Sequence, residues 1–129
     1  MKAKILLIED NRQNRYLATF LMEKEGFTVT LAPDGPAGIE CATRERFDLI
    51  LLDIQLPGMD GHAVARTLRA KPALADVPII AVTSYAMVGD REIALASGCS
   101  GYIEKPINPD TFVAEISRHL RPGNGDKAP

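Results

Sequence analysis

Short apolar runs alternate with stretches of helical period along this chain. Ile5-Leu6-Leu7-Ile8 follows a lysine and ends in Glu9-Asp10, so residues 4–8 predict a buried strand. From 12 to 25 the apolar positions fall at helical spacing, with Tyr16, Leu17, Phe20 and Leu21 predicted on one face and Gly26 as the stop. Residues 27–31 alternate Phe, Val and Leu with threonines and predict a second strand, nearer an edge. A second helix over 36–46 turns Ala37, Ile39, Cys41 and Ala42 inward. Residues 48–52 are apolar on both faces, the pattern of a central parallel strand covered by helices. A third helix over 61–70 places Val64, Ala65 and Leu68 inward, and residues 78–82 form a fourth strand. A fourth helix over 87–96 is ended by Gly98. A short fifth strand at 101–104 and a fifth helix at 109–120, with Pro109 in its first turn, complete the pattern.

A strand-helix unit used five times predicts the α/β class, with a parallel sheet between two helical layers. No internal repeat, low-complexity segment or linker interrupts it. With 129 residues, one domain is expected over 1–121, and a frayed tail rich in Pro, Gly and charge over 122–129. No second domain is expected after it. A net charge of −2, without a basic surplus or any Trp, argues against nucleic acid as a partner. The apolar run near the N-terminus is too short for a signal peptide or a membrane span, so a soluble cytoplasmic protein is expected. Two cysteines, Cys41 and Cys99, read as packed thiols and not as a disulfide framework.

In sheets of this kind, ligands bind beyond the carboxyl ends of the strands. Glu9, Asp10, Asp53, Thr83 and Lys105 all fall at such ends. Three acids, a hydroxyl and an ammonium group on one rim suit a Mg²⁺-assisted phosphoryl transfer onto an aspartate. Mg²⁺ takes oxygen ligands in near-octahedral geometry. Asp10 and Asp53 are the expected direct ligands, Glu9 acts through water, and the backbone carbonyl of Gln55 completes the protein's share. Asp53 is the candidate nucleophile, since aspartate forms acyl phosphates. Thr83 and Lys105 would each hold a phosphoryl oxygen, and Lys105 would pair with Asp53 in the free protein. Lys105-Pro106 is a candidate cis peptide. Singly, each residue also has an ordinary reading. Glu9-Asp10-Asn11 can cap a helix, Asp53 and Thr83 can cap turns, and Lys105 can be a solvated side chain. His62, His119 and the arginines Arg12, Arg15, Arg66 and Arg69 read as surface residues. Tyr102 reads as a partly buried edge residue.

The segments Leu7-Ile8-Glu9-Asp10-Asn11, Asp48-Leu49-Ile50-Leu51-Leu52-Asp53, Leu56-Pro57-Gly58-Met59-Asp60-Gly61, Val82-Thr83 and Lys105-Pro106, with their spacings, resemble the receiver domain of two-component response regulators. The resemblance covers about residues 4–120. It implies a flavodoxin-like (βα)₅ sandwich with strand order 2-1-3-4-5. It implies Asp53 as phosphorylation site, Glu9 and Asp10 as the Mg²⁺ pocket with the Gln55 carbonyl, Thr83 as switch hydroxyl, Lys105 as phosphate-binding lysine and Tyr102 as aromatic switch. The implied donor is a histidine kinase or a histidine phosphotransfer protein. Asp53-Ile54-Gln55-Leu56-Pro57, Ala86-Met87, Gly89-Asp90 and Gly98-Cys99 are most similar to single-domain receivers of the DivK type.

A downstream protein target is expected on the face of the fourth helix, fifth strand and fifth helix, around Val88, Arg91, Glu92 and Asn108. A monomer or weak homodimer is expected. Tyr85 is expected to cover the phosphate and slow its hydrolysis. Alternatives remain open at this stage. They are a receiver excised from a hybrid kinase, a pseudo-receiver that only binds, an aspartate-nucleophile phosphatase and a flavin-binding flavodoxin-like protein. Gln55, where such a phosphatase has its second acid, argues against the third. Glu9-Asp10, which repel a phosphate, argue against the fourth.

Overall fold

A computed structural model of the chain describes residues 3–56, 58–84 and 89–120. Five strands alternate with five helices: β1 (Lys4–Ile8), α1 (Arg12–Lys24), β2 (Thr28–Ala32), α2 (Gly35–Arg44), β3 (Leu49–Asp53), α3 (Gly61–Arg69), β4 (Ile79–Thr83), α4 (Asp90–Ala96), β5 (Gly101–Glu104) and α5 (Phe112–His119). A single 3₁₀ turn, Pro72–Leu74, lies between α3 and β4. The strands are parallel, in the order β2-β1-β3-β4-β5. Every residue of β3 and β4 is buried, as two-sided apolar runs require. β2 is an edge strand, and most of its residues keep some exposure.

Alternation along the strands divides the core into two layers. Leu6, Ile8, Ile50, Leu52, Ile79 and Ala81 face one way and pack with Val64, Ala65 and Leu68 of α3 and Ala42 of α2. Ile5, Leu7, Leu49, Leu51, Ile80, Val82 and Ile103 face the other way, onto Ala18, Leu21 and Met22 of α1 and Phe112 and Ile116 of α5. Three helices start on side-chain caps: Asn11, Asp34 and Asp60 each accept a hydrogen bond from a backbone N–H of the first turn. Gly26 and Gly98 adopt φ of +93° and +108° just past α1 and α4, the left-handed exit that favours glycine.

Several expectations are corrected. In α1, Leu21 is buried and Leu17 partly so, but Tyr16 and Phe20 are 74% and 51% exposed. The helix carries two overlapping apolar stripes, and the sheet takes the one with the small Ala18, which permits close approach. Arg69 is not a solvated residue. It is half-buried, and its guanidinium donates to the carbonyl oxygens of Gly98 (2.7 and 3.0 Å), Leu74 (2.8 Å), Ala75 (3.1 Å) and Val77 (2.7 Å). It ties α3 to the 3₁₀ turn and to the entry of β5. His62 and His119 are half-buried as well, with His62 Nδ1 3.4 Å from Ser97 Oγ.

The helix expected from Pro109 begins at Phe112. Residues 109–111 form a turn in which the Asn108 side chain accepts from Asp110 N–H, and its carbonyl accepts from Thr111 and Phe112. The described part of α4 starts at Asp90. Tyr85, Met87, Val88 and the tail expected over 122–129 lie outside the described residues. Cys41 and Cys99 are unbridged and pack in the core. Burial pushes the Cys99 thiol up to about 11. No described helix is long and apolar enough to cross a membrane.

Candidate functional site

The register of the parallel sheet assembles one rim. Ile8 of β1 stands beside Leu52 of β3, so the next residues, Glu9 and Asp53, are neighbours on adjacent strands. Alternation also puts them on the same face. Asp53 in turn pairs with Val82 of β4, Val82 with Ile103 of β5, and Thr83 with Glu104. Lys105 therefore leaves β5 level with the end of β4, and its N–H donates to the Thr83 carbonyl at 2.8 Å. Residues spread over most of the chain converge because four parallel strands end together.

Glu9, Asp53 and Thr83 are buried polar residues, at 3%, 2% and 3% exposure. Asp10 is exposed. One carboxylate oxygen from each of Glu9, Asp10 and Asp53 lies within 4.8 Å of the others. The Lys105 ammonium sits among them, 3.2 Å from Glu9 Oε1 and 3.4 Å from Asp53 Oδ2. The Lys105–Pro106 peptide is cis, which local sequence alone did not support. The expected pairing of Lys105 with Asp53 is present, and Glu9 shares it.

Backbone donors orient both buried acids. Asp53 Oδ1 accepts from Gln55 N–H at 2.9 Å, and Glu9 Oε2 accepts from Asn11 N–H at 3.1 Å. One ammonium cannot neutralise two buried carboxylates. Burial, then a hydrogen bond with Asp53, then the charge of Asp53 push the Glu9 carboxyl from 4.5 up to about 7, against the pull of Lys105 and Asn11 N–H.

Tyr102 stands opposite Ala81 in β5, on the face of the sheet that also carries Thr83. It is half-buried, and burial, Asp90 and Glu104 together hold its phenol above the ordinary range. Tyr85 lies outside the described residues.

Two supports escaped sequence reasoning. The Gln55 side chain reaches across the rim and accepts from Ser84 N–H at 3.3 Å, joining the loops after β3 and β4. Gly61 opens α3 directly behind Ile54, and a Cβ there would stand 2.7 Å from the Ile54 carbonyl oxygen. A glycine immediately after a capping Asp60 was the available signal for that contact.

The described residues thus offer three clustered acids, one half-buried ammonium, a buried hydroxyl and oriented backbone groups. This is a polar rim whose donor set suits a hard cation. The profile of the response regulator receiver domain matches residues 5–117. The chain is 38% identical over 120 residues to the polar-differentiation response regulator DivK of Brucella anthropi, covering 93% of this chain and 98% of that one. Its fold superposes on the chemotaxis response regulator CheY4 of Vibrio cholerae with a TM-score of 0.89 at 28% identity, covering 93% of this chain and all of that one. It superposes on the receiver domain of the sensor histidine kinase PA1611 of Pseudomonas aeruginosa, solved with a magnesium ion in its active-site cleft, with a TM-score of 0.84 at 37% identity, over 92% of this chain and 97% of that one. The sheet order, the acidic rim and these likenesses agree: this chain belongs to the response regulator receiver domain family, with the flavodoxin-like (βα)₅ fold and a DivK-like sequence.

Proposed function

We propose that the chain is a phospho-accepting signalling domain of a two-component phosphorelay, with Asp53 as the acceptor. The observation that carries this reading is the buried Asp53 carboxylate, held at 2.9 Å by Gln55 N–H, with Lys105 at 3.4 Å and two further acids alongside. An oxygen of Asp53 attacks the phosphorus of a phosphohistidine. The P–N bond breaks, an acyl phosphate forms, and the imidazole leaves. Asp53 is already desolvated and aimed, so little reorganisation precedes attack. Lys105 then exchanges its carboxylate contact for a phosphoryl oxygen.

The acid cluster fits Mg²⁺: it offers only hard oxygen donors, and a close set of acids is costly without a cation. Asp10, Asp53 and the Gln55 carbonyl would hold the ion directly, with Glu9 through water. When bound, it neutralises charge on the transferring group. The magnesium-containing Pseudomonas receiver supports this assignment.

Thr83 and Tyr102 form the switch. The phosphoryl group draws the Thr83 hydroxyl inward, and the half-buried Tyr102 ring follows on the same face of the sheet. The α4-β5-α5 surface then changes its affinity for a protein target. Ile93 and Leu95 of α4, 50% and 44% exposed, support a contact surface there. The donor is a histidine kinase or a histidine phosphotransfer protein. The domain catalyses only its own phosphorylation and dephosphorylation.

Intact-mass spectrometry after incubation with acetyl phosphate and Mg²⁺ tests the reading. A gain of about 80 Da, one phosphoryl group, is expected in wild type and not in Asp53→Asn. Where neither acetyl phosphate nor a phosphorylated histidine phosphotransfer protein modifies the wild type, the chain is a pseudo-receiver that only binds.

A further inference from the structure

The two ends of α4 are held differently. The helix is 7 residues long, and Ala94 is its one buried residue. It begins after Gly89, which has a φ of +94° and makes no side-chain cap, and its first residue, Asp90, acts on the Tyr102 phenol. Its last turn is gripped by two side chains of α3. From the end of α3, Arg69 donates to the Gly98 carbonyl at 2.7 and 3.0 Å. From the first turn of α3, the half-buried His62 brings Nδ1 to 3.4 Å from the Oγ of the buried Ser97. α3 is a firm base for both, since its Val64, Ala65 and Leu68 are fully buried. It also abuts the acceptor. Gly61 N–H donates at 3.1 Å to the carbonyl of Ile54, the residue after Asp53, and His62 N–H donates at 3.1 Å to Asp60 Oδ1.

We propose that His62 is a positioning residue: with Arg69 it pins the C-terminal end of α4 to α3, so that the switch moves α4 as a lever about Ser97. The lever's use rests on the phospho-acceptor reading; the pin itself is a property of the free protein. Hydrogen-bond accounting gives the contact its direction. The Ser97 hydroxyl donates its one hydrogen to the Ile93 carbonyl at 2.9 Å, so toward His62 it can only accept. Nδ1 of His62 therefore carries the ring hydrogen. Seven residues at about 1.5 Å each set Asp90 roughly 10 Å from the pivot. Displacement is then largest beside Tyr102 and smallest at Ser97. Without the pin both ends of α4 drift, and less of the movement at Tyr102 becomes tilt of the contact surface.

Nitrogen NMR of the imidazoles in the full chain, at about pH 8 and so above the ordinary histidine range, reads the tautomer. His62 is expected in the Nδ1–H form in wild type and to lose that preference in Ser97→Ala. Hydrogen exchange of the Ser97 and Cys99 amides, which bond to the Ile93 and Ala94 carbonyls, reads the grip on the helix end. His62→Ala is expected to speed it roughly threefold to tenfold, the effect of losing one hydrogen bond. His62→Asn, whose amide N–H can take the place of Nδ1–H, is expected to return it to within about twofold of wild type. His62→Leu, which fills the space without a donor, is not. After labelling with acetyl phosphate, confirmed by the mass gain, exchange is expected to change most at residues 90–92 and least at 97–99. A wild-type His62 in the Nε2–H form overturns the proposal. So does a His62→Leu variant that exchanges as slowly as His62→Asn. A labelled chain that changes as much at 97–99 as at 90–92 overturns the pivot. A chain that never labels fails the phospho-acceptor reading alone, and the tautomer and the variants still decide the His62 contact.

Discussion

Replacing Glu9 by glutamine removes a buried charge without changing shape, so its effect on stability should depend on pH. Glu9 is 3% exposed and its carboxyl sits beside Asp53, with Lys105 the one cation that pairs with them among the described residues. Its proton is held up to about pH 7 in the folded state, against 4.5 for an ordinary glutamate. Between those values the folded chain binds more protons than the unfolded chain, so stability falls as pH rises. The stabilising contribution is full below about pH 4.5 and is lost as pH passes through about 7. A shift of this size corresponds to roughly 3 kcal/mol at 1.36 kcal/mol per unit, an upper figure because the two acids titrate together. In EDTA, Glu9→Gln should match wild type near pH 5 and exceed it by about 1–3 kcal/mol at pH 8. Urea unfolding at half-unit steps from pH 5 to 8.5, with and without Mg²⁺, measures this. Mg²⁺ should recover most of the wild-type loss at pH 8 and less in the variant, since the ion supplies the missing positive charge. Its apparent affinity should fall as pH drops below about 7, because binding must then displace the Glu9 proton. A wild-type minus variant difference that does not change between pH 5 and 8 would refute the reasoning.

Three further outcomes are expected. Gly61→Ala should cost about 2–4 kcal/mol in urea denaturation, because its Cβ meets the Ile54 backbone, with the carbonyl oxygen at 2.7 Å. The same variant should slow acetyl-phosphate labelling by moving the loop after Asp53. Arg69→Met should cost about 2–4 kcal/mol, since four carbonyl oxygens lose their donor, and Arg69→Lys should recover little because an ammonium cannot span Gly98 and Val77 together. Thr83→Ala should accept the phosphoryl group, yet bind a phosphorylation-dependent target with the same affinity before and after labelling. A wild-type-like affinity change in that variant, read by titration calorimetry, would remove Thr83 from the switch.

Much of the architecture was legible in the chain because it depends on local pattern. Apolar runs at strand length, the possible cap at Asn11, and glycine exits at Gly26 and Gly98 are all decided within a few residues. The placement of Glu9, Asp10, Asp53, Thr83 and Lys105 on one rim followed from their shared position at strand ends. Helix phase was less legible. In α1, two apolar stripes satisfy the same period, and only contact with the sheet chose Ala18 and Met22 over Tyr16 and Phe20. Arg69 could not be read either, since its carbonyl partners lie up to 29 residues away and have no side-chain signature.

The sequence by itself determined the alternation of strand and helix, the two-sided burial of β3 and β4 and the kinds of chemical group at the strand ends, because each follows from neighbours along the chain. Only the tertiary structure decided how those groups act on one another. The β1–β3 register set Glu9 beside Asp53, and the end of β5 brought Lys105 to 3.2 Å from Glu9. The Glu9 carboxyl is raised because folding excluded water from it and brought Asp53, 44 residues away, into contact. Electrostatic energy depends on distance and dielectric, and neither is defined until the chain has folded.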